Sequence, residues 1–292
     1  MANLGRWLAW LARLAWLLVA IVGGSAVEQA VGSRSDAVRF TAGIGCWAGW
    51  AIVMLALVLA SVRTLTVTRV GVPLAAGVAV GAGLAGADAV SLLGLGASVG
   101  VVLLAVFAAE FGRSFVQASA YGDEDRFLLR PPAAVMIAAA LTWVMWAACL
   151  LIGPMLLASR SWVAGSLLSI AAVAGVVFLG PRWHRLSRRW LVFVPAGVVL
   201  HDPVVLADTV SLRTAQIARI RLAPGDTDAA DLTGPASGYA VEVQTTESIT
   251  AVFAFTPSEP NGRAIHMTGF LVAPSRPGGA LAVAARRGLP VG

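Results

Sequence analysis

Long oily runs separated by short polar breaks fill the chain as far as Trp190, and beyond it the hydrophobic pattern changes period. Six apolar runs stand at 8–26, 41–62, 70–86, 89–109, 133–157 and 162–180. A run of roughly 20 apolar residues is enough to cross a hydrocarbon core, so each predicts a membrane-spanning helix. The oily stretch from Val70 to Phe111 is too long for one span, and GAGLAGAD, ending at Asp88, supplies a tight turn between two. Gly77 and Gly81, then Gly96 and Gly100, are spaced to give smooth grooves, which predicts that these two helices pack closely there. RTLTVTR, from Arg63 to Arg69, reads as a short inner loop, and 112–130 reads as a polar cytoplasmic one. Pro131 and Pro132 open the fifth span, where proline is tolerated in a first helical turn.

From Leu191 onward the period shortens to that of strands. LVFVP, then Ala196 and Gly197, then VVLHD reads as a hairpin with a short glycine-containing turn. IARIRL, from Ile217 to Leu222, alternates apolar and basic residues as a half-buried strand does. PGDTDAADLTGPASG, from Pro224 to Gly238, has the composition of a mobile loop. Further strands are expected at 239–244, 249–255 and 265–272, followed by a helix with Ser275 as its cap, Pro277 just inside and Gly288 as its stop. The fold class expected is therefore an α-helical polytopic membrane protein of six spans with a β-rich tail over 191–292. The tail is expected to form a partly open barrel plugged by its C-terminal helix.

Composition supports this division. Of 292 residues 58% are hydrophobic and only 12% charged, against roughly 25% charged in a soluble domain. The net charge of +6 comes wholly from arginine, since there is no lysine. Eleven arginines fall at ends or loops on one side of this layout and three on the other, which places both termini in the cytoplasm of a plasma-membrane protein. The first run also admits a second reading, a cleaved signal peptide with the core LAWLLVAIV and a small-residue exit GGSA. Cys46 and Cys149 both lie in apolar runs and read as small hydrophobes, so the tail has no disulfide framework and no cysteine zinc site.

The junction 181–190, PRWHRLSRRW, concentrates the candidate chemistry. Arg182, Arg185, Arg188 and Arg189, bracketed by Trp183 and Trp190, are the expected contacts to an anionic inner leaflet. Basic exit, hairpin, further strands and terminal helix together resemble the pleckstrin-homology-like domains attached to bacterial membrane proteins. The whole chain is similar to multi-span membrane proteins of high-GC actinobacteria, a likeness that brings no activity with it. The domain resemblance covers about the last 100 residues and implies an adaptor that contacts proteins or lipids, with no catalytic residues to transfer.

Asp88 and Glu110 are the acids of an alternative reading, a transporter of a small solute or lipid in which one of them couples to protons or ions. Each also has a plainer role, Asp88 as a helix cap at the hairpin and Glu110 as a partner of Arg113. Trp143 and Trp146 share a face in mid-span, suited to packing or to a lipid groove. The run Asp123, Glu124, Asp125 reads as solvated, and His201 with Asp202 lacks a second histidine for a metal. No phosphate loop, zinc-helix motif or GxSxG elbow occurs, so no cofactor is expected and an enzyme using Glu28, Asp36 or Asp88 has least support. Beyond Trp190 seven arginines meet eight acids, which argues against nucleic-acid binding.

Overall fold

A computed structural model describes residues 2–254 and 262–292. Phe255, the end of one expected strand, lies outside the described residues. Six helices are long and apolar enough to cross a membrane: α1 (Ala2–Val31), α2 (Asp36–Val58), α3 (Val62–Leu84), α4 (Ala89–Phe107), α6 (Ala133–Ala158) and α7 (Trp162–Ser187). A short helix, α5 (Ala109–Gln117), follows α4. The chain divides into a helix unit, Met1–Phe115 with Ala139–Trp183, and a strand unit, Val116–Ala138 with His184–Gly292.

Two expected boundaries move. The stretch 63–69 is the start of α3 rather than a loop, because its polar side chains are satisfied within the helix. Ser61 and Thr64 form a reciprocal capping box, and the Thr66 and Thr68 hydroxyls donate to the Val62 and Thr64 carbonyls at 3.2 and 2.7 Å. Likewise α7 does not stop at Gly180 but runs through Pro181 to Ser187. The first arginines of the expected basic junction, Arg182 and Arg185, therefore stand on the last turns of α7.

Indoles and guanidinium groups bind the helix unit together through backbone carbonyls. Trp16 Nε1 donates to the Trp50 carbonyl at 3.0 Å, and Trp50 Nε1 returns the bond to the Trp16 carbonyl at 2.9 Å. Arg13 Nε donates to the Leu57 carbonyl in the last turn of α2 at 3.0 Å, and Arg69 Nε to the Val106 carbonyl in the last turn of α4 at 3.4 Å. Each cation thus sits at the negative end of a neighbouring helix. Trp143 and Trp146 reach the carbonyls of Val70 and Ala172, both at 3.0 Å. The side chains of Leu141, Met145, Ile152, Leu167, Ile170 and Val177 point outward, as lipid-facing residues would.

The expected glycine grooves are used only in part. Gly77 meets Leu151 of α6, while Gly81, Gly96 and Gly100 have open space where a Cβ would stand; Gly94 meets Val22 of α1, Gly71 meets Val53 of α2 and Gly175 meets Trp146 of α6. Spacing alone marked a smooth face without saying which neighbour would use it.

The strand unit has two four-stranded sheets. The first, in order β1 (Asp125–Leu128), β2 (Trp190–Val194), β3 (Gly197–His201), β4 (Val210–Arg213), is antiparallel throughout. The second has the order β5 (Ile217–Leu222), β7 (Val241–Phe253), β8 (Arg263–Val272), β6 (Ala230–Asp231). Among the described residues no closed barrel forms; two sheets share a core of Phe127, Phe193, Leu200, Ile220 and Phe270, covered by α8 (Pro277–Arg286). At the β2–β3 turn a Cβ on Gly197 would lie 1.9 Å from the Leu212 carbonyl oxygen, so only glycine fits.

The largest departure from expectation is β1. Residues 125–128 belong to the polar segment before the fifth span, yet they pair in register with β2, Arg126 opposite Val192 and Leu128 opposite Trp190. The β-rich domain is thus not 191–292 alone but is completed by a segment that precedes α6. The expected mobile loop is corrected as well: within it β6 pairs in parallel with β8, and Leu232 is buried in the core.

Candidate functional site

The exposed side of the first sheet is shaped by the alternation of its strands. Phe127, Leu191, Phe193, Val198 and Leu200 face the core, which leaves Arg126, Trp190, Val192, Val194, Val199 and His201 on the other face. Together with Glu124, Arg188 and Thr209 they line a groove of about 330 Å3. Trp190 stacks on His201, ring centroids 5.2 Å apart and planes 28° apart, and the Arg126 guanidinium lies 5.2 Å from the Trp190 ring centre. Arg126 is itself held by Glu124 at 2.6 Å. The His201 Nδ1 is 3.0 Å from the Thr209 hydroxyl, while its Nε2 is buried with no hydrogen-bond partner. Burial, and then Arg188 and Arg126, push the His201 pKa below its ordinary value, with Asp202 opposing.

The six expected lipid contacts do not stay together. Arg182, Arg185 and Arg188 are exposed, and Arg182 donates to the Phe178 carbonyl. Trp183 is instead buried in the helix unit, edge-on to Trp146 at 5.2 Å. Arg189 is 0% exposed, and its fork closes on Asp202 through Nε to Oδ1 at 2.7 Å and Nη2 to Oδ2 at 2.6 Å. Its Nη1 donates to the Arg130 carbonyl at 2.7 Å. A guanidinium so enclosed cannot meet a headgroup, which corrects the expectation for Arg189. Trp190, half-buried, belongs to the groove.

Sequence reasoning missed this ion pair, although a signal was present. The hairpin register that sets Trp190 opposite His201 carries Arg189 to Asp202 one residue further on. Read locally, Asp202 pairs only with His201 and Arg189 only with its neighbouring arginines, and neither spacing points to the other. Arg126 and Glu124 were hidden more deeply, because nothing in a polar inter-span segment announces a strand of a distant sheet.

Asp88 is the N-cap of α4. It accepts from Val90 N at 2.9 Å, Ser91 N at 3.0 Å and the Ser91 hydroxyl at 2.8 Å, and Gln29 of α1 accepts from its backbone N–H at 2.8 Å. These bonds, those from Ser91 first, draw its carboxyl down from 3.8 to about 2. Glu110 is half-buried in the first turn of α5, where the helix dipole favours an acid. Asp123 and Asp125 are bound by Arg287 at 2.8 and 3.0 Å, just past the end of α8. Among the described residues no group of three or more His, Cys, Asp or Glu is placed to hold a metal ion. Compared with known proteins, the chain matches no family model, no curated protein and no solved structure.

Proposed function

We propose that this chain is a membrane-anchored adaptor whose strand unit, a pleckstrin-homology-like module on the cytoplasmic side, recognises a partner through the groove around Trp190 and His201. The observation that carries the reading is the composite build of that unit. Segments on either side of the α6–α7 pair are joined into one sheet, and the buried Arg189, paired with Asp202, also donates to the Arg130 carbonyl of the earlier segment. Arg182, Arg185 and Arg188, exposed at and just beyond the end of α7, would hold the inner leaflet by contact with anionic headgroups. A transport role draws no support from the place of Asp88, whose carboxylate is occupied in capping α4.

The test is crosslinking in living cells from a photoreactive residue placed at Thr209, beside the groove, in the full chain. A discrete captured protein that disappears in an Arg188→Glu variant is expected. Diffuse labelling, indistinguishable from that of a probe at Arg219 on the second sheet, would overturn the reading.

A further inference from the structure

We propose that the groove on the first sheet is an oxyanion site, holding a phosphate or carboxylate group between the imidazole of His201 and the guanidinium of Arg188. The proposal rests on the recognition reading above and names the chemistry of what that groove takes.

The argument starts from a ring nitrogen out of place. His201 Nε2 is buried and bonds to nothing among the described residues, and a buried polar atom without a partner costs on the order of 1–3 kcal/mol. The ring cannot easily turn away, because Trp190 stacks on its face and Thr209 engages Nδ1. When the Thr209 hydroxyl donates to Nδ1, Nε2 carries the proton and is left a buried donor without an acceptor in a residue that lines the groove.

The charges around it select the sign of the ligand. Glu124 also lines the groove but takes both Nε and Nη2 of Arg126, at 3.1 and 2.6 Å. Asp202 is spent on Arg189. Arg188 remains exposed as the cation able to meet an incoming group. The floor of Val192, Val194 and Val199 is apolar, so the ligand pairs an acidic head with a short apolar stem. A phosphate on a lipid headgroup and a small free anion share that head.

Occupancy changes the protonation of His201. In the empty groove burial, Arg188 and Arg126 all disfavour the imidazolium, while Asp202 favours it. A bound oxyanion beside the His201 ring reverses the balance and raises the His201 pKa. Binding therefore takes up a proton and tightens as pH falls through the His201 titration.

The chain has only three histidines, so each is resolvable by nitrogen-15 histidine NMR of the full protein in alkyl-maltoside micelles, which contain no phosphate. Added inorganic phosphate is expected to shift the His201 ring nitrogens saturably and raise their titration midpoint. The response is expected to vanish in Arg188→Gln, whose unliganded His201 should instead titrate slightly higher than in the parent. A response to anionic-lipid nanodiscs in phosphate-free buffer, with none to free phosphate, would identify the source as a headgroup. A His201 signal unmoved by phosphate, acetate and anionic lipid alike would overturn the proposal, and so would an undiminished phosphate response in Arg188→Gln. Loss of partner capture with the phosphate response intact would defeat the adaptor reading while leaving the anion site standing.

Discussion

The helix unit and the strand unit both withdraw arginines from water, and they satisfy them by different means. Arg13 and Arg69 are placed on carbonyls in the last turns of α2 and α4. Arg189 receives a carboxylate, Asp202, in a two-bond fork with both partners almost wholly enclosed. A helix end already has carbonyls lacking a partner, so a cation placed there needs no second ion to be desolvated. In the strand unit backbone carbonyls take only part of the fork, Nη1 of Arg189 reaching the Arg130 carbonyl, and the rest of the buried charge is met by a buried anion. One unit is therefore expected to tolerate the loss of an arginine better than the other.

That contrast is broken most severely at the fork. Arg189→Met leaves Asp202 charged and enclosed, and is expected to destabilise the strand unit by about 3–5 kcal/mol. Adding Asp202→Leu should recover a large part of the loss, since an apolar pair leaves no stranded charge. Thermal unfolding of both variants, followed by limited proteolysis of the tail, measures the difference. Full additivity of the two substitutions would show that the fork is not a coupled pair.

Packing in the helix unit offers a smaller effect. A Cβ on Gly175 would stand 2.3 Å from Trp146 Cδ1, so Gly175→Ala should cost about 1–3 kcal/mol by forcing the indole to shift. Trp146→Leu in the same chain is expected to relieve the clash, read as restored thermal stability in detergent. Arg13→Met should cost about 1 kcal/mol, because the Leu57 carbonyl keeps its helical setting and loses only one added donor. A loss as large as that of Arg189→Met would erase the distinction between the units.

The smallest effect is a pH dependence at the α3–α4 hairpin. Asp88 titrates at about 2 in the fold rather than 3.8, so its contribution is complete above the higher value and fades as pH falls toward the lower. Asn also caps helices. Asp88→Asn is therefore expected to leave the hairpin intact at neutral pH and to flatten its acid profile across that window, as followed by hydrogen exchange at Val90 and Ser91.

Much of the helix unit was legible in the sequence because lipid imposes one rule on every span, a long apolar run. All six helices stand where such runs fall. The errors came where a polar side chain can serve the helix itself, as Thr66 and Thr68 do. In the strand unit the β2–β3 hairpin and IARIRL were legible from local alternation and turn chemistry. The strand β1 was not, because its four residues alternate too briefly to signal and its partner lies beyond two spans. The groove shared that fate, since Arg126 and Glu124 reach Trp190 and His201 only once β1 is in register. The Arg189–Asp202 fork lies between these extremes, one pair beyond the hairpin register that sets Trp190 opposite His201.

The claim on which the rest depends is that 116–138 and 184–292 are one folded unit. Its most direct test is a cysteine pair, Arg126→Cys with Val192→Cys, in a chain whose Cys46 and Cys149 are replaced by alanine. The two positions are opposite one another in the β1–β2 ladder, close enough for a disulfide between strands. Mild oxidation of native membranes should link them within one chain, and far more completely than Arg126→Cys paired with Val194→Cys. Failure to link, or equal linking of the two pairs, would contradict the shared sheet and with it the composite module.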